Sequence, residues 1–193
     1  MTHSADLTGR ARIRMSALRL FAEQGFSNTS LRAIAADADV SHALVRHHFG
    51  SKENLREVVD EDVMDAFDTA LSDVGAREGE PEGLAAFGEA SARLFGTDQV
   101  RREYLRRALA EGSDLSARLF ARLLEGVRLR LSTMGATDER WAPYQVLFLI
   151  LGPMLLEPVM RPGLDTPVFD PAVVADRSAA NQHLLTHGMF ARD

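Results

Sequence analysis

At 193 residues the chain is long enough for a substantial core, either as one domain or as a small head on a larger body. Hydrophobic residues at 46% and charged residues at 26% are those of a globular protein rather than a disordered or fibrous one. The absence of cysteine excludes disulfides, thiolate metal sites and a cysteine nucleophile, as suits the cytoplasm. The net charge of −6 argues at first against a nucleic-acid partner, but its distribution reverses that reading. Residues 1–56 hold eight Lys/Arg against five Asp/Glu, and the remainder holds fourteen against twenty-three. A basic head on an acidic body turns the molecule head-first toward phosphate.

The opening residues, MTHSADLTGRARIR, lack the apolar stretch of a secretory signal, so export is not expected. A first helix is predicted from Thr8 or Gly9 to Gln24, with Ile13, Ala17, Leu20 and Phe21 on one face and Gly25 as its C-terminal cap. Phe26 can then fold back on that stripe. Thr29 or Ser30 can cap a second helix whose Leu31, Ile34, Ala35 and Ala38 face inward. Asp39 falls where the chain must reverse, and a short Asp tolerates the left-handed conformation better than most side chains. Val40 turns inward again, and Ser41 can cap a third helix that sends Val45 and Phe49 to the core. Its other face is left to Ser41, His42, Ala43, Leu44, Arg46 and His47. Two short helices about a tight turn form a helix-turn-helix, with residues 41–48 as the recognition helix. Arg46 can donate two hydrogen bonds to guanine O6 and N7 in the major groove. Leu44 is placed either to close the core or to pack on a thymine methyl, and His42 and His47 reach bases or phosphates.

The pattern of Ala17, Leu20-Phe21, Glu23, Gly25-Phe26, Thr29-Ser30, Ile34-Ala35, Ala38, Val40-Ser41, His48-Phe49, Lys52-Glu53 and Leu55 resembles the N-terminal domain of the tetracycline-repressor (TetR) family. The resemblance runs from Arg12 to Leu55 without a gap. It departs at Asp39, where Gly is usual, and at Arg46-His47, where an aromatic pair is usual. It implies that His48 and Lys52 lie beside the phosphate backbone, where contacts set register and affinity. Thr29 and Ser30 can meet phosphate while capping. The resemblance also implies a dimer formed by the last two helices, and hence a palindromic operator on double-stranded DNA. The expected division is a DNA-binding head over 8–68 and a ligand-binding and dimerisation body over 69–193.

In the body, Lys52 to about Val74 reads as one helix tying the two parts together. Further helices are predicted over Leu84–Gly96, Gln99–Gly112, Leu115–Met134, Trp141–Met160 and Pro171–Gly188. With no lasting strand alternation, the fold class is all-α with about nine helices. Wide apolar stripes make either core or a pocket between helices for a small apolar or amphipathic effector, with Phe67, Phe87, Tyr104, Phe120, Leu124 and Phe148 as candidate lining. Val146–Leu151 is apolar around its whole circumference, Ala172, Ala175, Ala179 and Ala180 permit close approach, and Pro153 and Pro158 should kink or end their helix. The longest uncharged run, Trp141 to Leu156, falls short of the ~20 apolar residues of a membrane span. His183 and His187 share a helix face without a neighbouring carboxylate, so no metal is expected, nor any cofactor. No nucleophile elbow, Walker loop, dinucleotide fingerprint or zinc pair points to an enzyme. The remaining alternative is a helical regulator without a small-molecule effector.

Overall fold

The structure, a computed structural model, describes residues 2–75, 98–134 and 140–185. They form eight α-helices and no strand: α1 (Thr2–Gln24), α2 (Leu31–Asp37), α3 (His42–Phe49), α4 (Lys52–Gly75), α5 (Gln99–Glu111), α6 (Asp114–Met134), α7 (Ala142–Met160) and α8 (Pro171–Leu184). A 3₁₀ turn, Arg161–Gly163, follows α7. The helix expected over Leu84–Gly96, with Phe87, lies outside the described residues, as does His187.

The head closes as the apolar spacing requires. Ile13, Ala17, Leu20 and Phe21 of α1 are buried with Ile34 and Ala35 of α2, Val45 and Phe49 of α3, and Leu55, Val59 and Val63 of α4. Phe26 folds back so that its ring centroid lies 5.4 Å from that of Phe21. α1 begins earlier than expected, at Thr2, because Gly9 is not its start but a contact point inside it. A Cβ on Gly9 would meet Leu44 Cδ2 at 3.4 Å, an ordinary contact distance, so the recognition helix passes close to α1 at this point.

α4 runs unbroken from head into body, and the expected boundary between residues 68 and 69 falls inside it. The body core takes Tyr104, Leu105 and Ala108 from α5, Leu115, Leu119, Leu123, Val127 and Leu131 from α6, and Ala142, Val146, Leu147, Leu151 and Met154 from α7. α7 continues through both Pro153 and Pro158 to Met160, where the sequence led us to expect a kink or stop. The segment Ala142–Gly163 is long and apolar enough to cross a membrane, yet five residues of α7 serve the core. The rest of the helix is a different surface: Phe148, Leu155, Leu156 and Val159 are exposed, spaced so as to share one face.

Candidate nucleic-acid interface

The helix-turn-helix is held by its caps. Ser30 Oγ accepts from Ala33 N at 3.1 Å to start α2, and Ser41 Oγ accepts from Leu44 N at 3.1 Å to start α3. Between them Asp39 takes φ 51°, the left-handed conformation where glycine is the commoner choice. The Val40 amide donates to Ala35 O at 3.0 Å and the Asp39 amide to Ala36 O at 3.3 Å, the double bond of a Schellman turn. The Asp39 carboxylate stands in solvent 3.9 Å from Arg12 of α1. Gly50, at φ 73°, ends α3.

This frame leaves Ser41, Ala43, Arg46 and His47 exposed, with His42, Leu44 and His48 half-buried beside them. Arg12, Arg14, Arg19 and Arg56 of the head each lie within ion-pair distance of a carboxylate. Among the described residues Arg46 has no such partner, so its guanidinium is available to an anion or a base edge. The His47 and His48 rings meet edge-on at 5.4 Å, and His48 meets Phe49 edge-on at 6.0 Å. The Arg10 guanidinium covers the Phe49 ring at 5.7 Å, a contact that the sequence reading missed.

Thr29 and Lys52 turn their polar ends inward, and Leu44 faces α1. Thr29 is 2% exposed, and its hydroxyl donates toward Gly25 O at 2.8 Å and Leu20 O at 3.3 Å, so it closes the end of α1 rather than facing a phosphate. Lys52 Nζ donates to Phe26 O at 2.9 Å and Thr29 O at 3.0 Å, with the Phe26 ring 4.2 Å away. Its ammonium clamps the α1–α2 loop, and one N–H remains to turn outward. Leu44 lies against Gly9, which favours the packing alternative.

Polar bonds tie the head to the body. Tyr104 of α5 donates its hydroxyl to Asp60 of α4 at 2.5 Å, and both side chains are buried. Burial pushes the Asp60 carboxyl above the usual carboxylate range, although the Tyr104 hydrogen bond pulls it back. Burial, with the carboxylate alongside, pushes the phenol of Tyr104 up as well. Arg122 of α6 forks onto Asp68 at 2.9 and 2.7 Å.

Four of the candidate effector side chains are described. Tyr104 is a satisfied core residue, Phe148 is 61% exposed on the outside of α7, and Phe120 and Leu124 are half-buried on α6. The Phe120 ring lies 6.2 Å from that of Tyr144. The Phe67 side chain and Phe87 fall outside the described set. A cleft of about 700 Å³ opens where α4 faces the α5–α6 turn, lined by Phe26, Glu53, Arg56, Glu57, Asp60, Glu61, Asp114 and Arg118. Most of its lining residues are charged, and none of Tyr104, Phe120, Leu124 and Phe148 borders it. Among the described residues no group of three or more His, Cys, Asp or Glu could hold a metal ion.

An all-helical chain with a capped helix-turn-helix and an unpartnered arginine on its outer face is of the class that docks a helix on nucleic acid. Residues 13–59 match the profile of bacterial regulatory proteins of the tetR family. The chain is 36% identical over 122 residues to the HTH-type transcriptional regulatory protein RaaS of Mycobacterium tuberculosis, a stretch of 63% of this chain and 55% of that one. It is 34% identical over 164 residues to the HTH-type transcriptional repressor Rv3405c of the same species, covering 80% of this chain and 78% of that one. Its fold is that of a gamma-butyrolactone receptor (ArpA-like protein), with TM-score 0.71 at 22% identity, covering 96% of this chain and 89% of that one. It is likewise that of Salmonella enterica GusR, with TM-score 0.71 at 20% identity over 96% and 97%. The chain belongs to the tetR family of bacterial transcriptional regulators.

Proposed function

We propose that the chain is a cytoplasmic, dimeric, sequence-specific transcriptional repressor that a small apolar or amphipathic ligand releases from a palindromic operator. The observation that carries the DNA-binding part is the outer face of α3, where Arg46 stands exposed and without a carboxylate between Ala43 and His47. Its fork matches guanine O6 and N7, while Ser30, Ser41, His42, His47 and His48 are spread along the rim where phosphates pass. The name repressor is carried by the relative Rv3405c.

Dimerisation is supported by the exposed apolar face of α7. Phe148, Leu155, Leu156 and Val159 lie beside an α8 whose Ala172, Ala175, Ala179, Ala180 and Leu184 are also exposed. A face of that kind is covered in a stable protein, and a twofold partner supplies the same surface. Two heads on one body pair then read two half-sites. For the effector, the half-buried Phe120, Leu124 and Tyr144 offer an aromatic wall in the body. The reading without an effector is favoured by Tyr104, whose hydroxyl is already taken by Asp60. Thermal denaturation with a panel of amphipathic compounds separates the two, since a ligand at a hundred times its Kd adds about 2.7 kcal/mol to the folded state.

The DNA-binding claim is tested by selecting fragments from random duplex DNA with the purified protein. Recovery of a palindromic site supports the proposal. Failure to enrich any sequence, at salt low enough for phosphate contacts to hold, contradicts it.

A further inference from the structure

Every carbonyl in the last turn of α1 has a donor, and two of those donors come from the body. Leu20 O and Gly25 O accept from the Thr29 hydroxyl, Phe21 O from the Gly25 amide at 3.0 Å, and Gln24 O from Asn28 Nδ2 at 3.0 Å. Ala22 O and Glu23 O accept from a single guanidinium, that of Arg107 on α5, with Nε at 2.5 Å and one terminal nitrogen at 2.8 Å. These carbonyls are the negative end of the α1 dipole, so a cation there is favoured twice over. We propose that Arg107 is a positioning residue for DNA binding: it sets the tilt and rotation of α1, and through α1 the recognition helix, against the body.

The geometry makes this specific to Arg107. The apolar part of the α1–α5 contact, such as Phe21 against Tyr104 at 6.5 Å, holds the helices together by non-directional burial. A planar fork on two successive carbonyls fixes tilt and rotation, and charge-assisted bonds are the strong kind. Glu103, one turn back on α5 and hydrogen-bonded to Arg106, lies 3.8 Å from Arg107 Nε and sets a carboxylate's charge beside the guanidinium. At the other end of α1, Leu44 of the recognition helix stands beside Gly9, and Arg12 faces Asp39 of the turn. The rod from Glu23 to Gly9 is about 20 Å long at 1.5 Å per residue. A tilt of roughly 5° at one end therefore moves the other by nearly 2 Å, more than the tolerance of a hydrogen bond to a base edge.

The inference rests on the DNA-binding reading, but its first test does not need DNA. The chain has no cysteine, so Ala36→Cys on α2 and Ala121→Cys on α6, both at exposed positions, place one nitroxide on the head and one on the body. Double electron–electron resonance, on labelled protein diluted with unlabelled, reads their separation within one chain. One narrow distance is expected for the otherwise wild-type chain, a broadened and shifted distribution for Arg107→Ala, and an intermediate one for Arg107→Lys. Thr29→Val removes head hydrogen bonds of the same kind without touching the body, so it should lose stability and keep the narrow distance. An unchanged distribution in Arg107→Ala, or equal broadening in Thr29→Val, would overturn the proposal. On a selected operator, inserting one base pair between half-sites should weaken the wild type, and Arg107→Ala should lose much of that discrimination. If the wild type binds no DNA at all, the DNA-binding reading fails while the distance result still decides the role of Arg107.

Discussion

The outer face of α3 and the outer face of α7 are both exposed, and neither is accounted for by the fold of one subunit. The first is polar and basic, with Ser41, Arg46 and His47 around Ala43; the second is apolar, with Phe148 at 61% and Val159 at 75% exposed. The difference separates two kinds of partner. A hydrated guanidinium without a carboxylate gains by meeting phosphate or a base edge, whereas exposed Phe and Val gain only by leaving water. Each surface therefore predicts the chemistry of what covers it, and each can be broken without touching the other.

The largest effect is expected at the apolar face. Phe148→Glu should shift dimer toward monomer in sedimentation velocity, because a twofold interface loses the side chain twice. At about 2–4 kcal/mol in all, dissociation rises roughly 30- to 700-fold. Helix content should stay unchanged, and an unaltered sedimentation profile would show that α7 is covered by something else. Next comes the polar face. Arg46→Ala should cost about 1–3 kcal/mol on a selected site and relax preference at one base pair per half-site. Equal losses on selected and random duplexes would assign Arg46 to phosphate instead.

Effects of the same order or smaller test the ties that hold both faces in register. Tyr104→Phe leaves the buried Asp60 carboxylate without its donor, at about 1–3 kcal/mol in urea unfolding. Because burial raises Asp60, the folded chain keeps that proton at pH values where the unfolded chain has released it. Stability should therefore fall as pH rises from the ordinary carboxylate value through the raised one. Tyr104→Phe should steepen that slope, and Asp60→Asn should abolish it. The smallest effect is at Thr29. Thr29→Val should lower stability by about 1 kcal/mol per hydrogen bond lost, with no change in the salt dependence of DNA binding, since its hydroxyl faces α1.

Much of the head was legible because its signals are local. Helix periodicity placed Ile13, Ala17, Phe21, Val45 and Phe49 in the core, and the turn chemistry of Asp39 and the caps at Ser30 and Ser41 hold in the structure. Gly9 misled, because a glycine reads as a helix start whereas α1 runs on through it to Thr2. The long-range polar bonds were not legible. Lys52 turns inward because two loop carbonyls need donors, and Tyr104 meets Asp60 across 44 residues of sequence. For Arg107 one signal existed: a helix stopped by Gly25 leaves carbonyls that must find donors somewhere.

The central claim, that α3 enters a major groove with Arg46 on guanine, is tested most directly by guanine N7 methylation interference on a selected duplex. Methylation of one guanine per half-site, on the same face of the helix, is expected to abolish binding by the wild type and to matter little to Arg46→Ala. Binding indifferent to N7 methylation everywhere, or equally impaired in both proteins, would contradict the account.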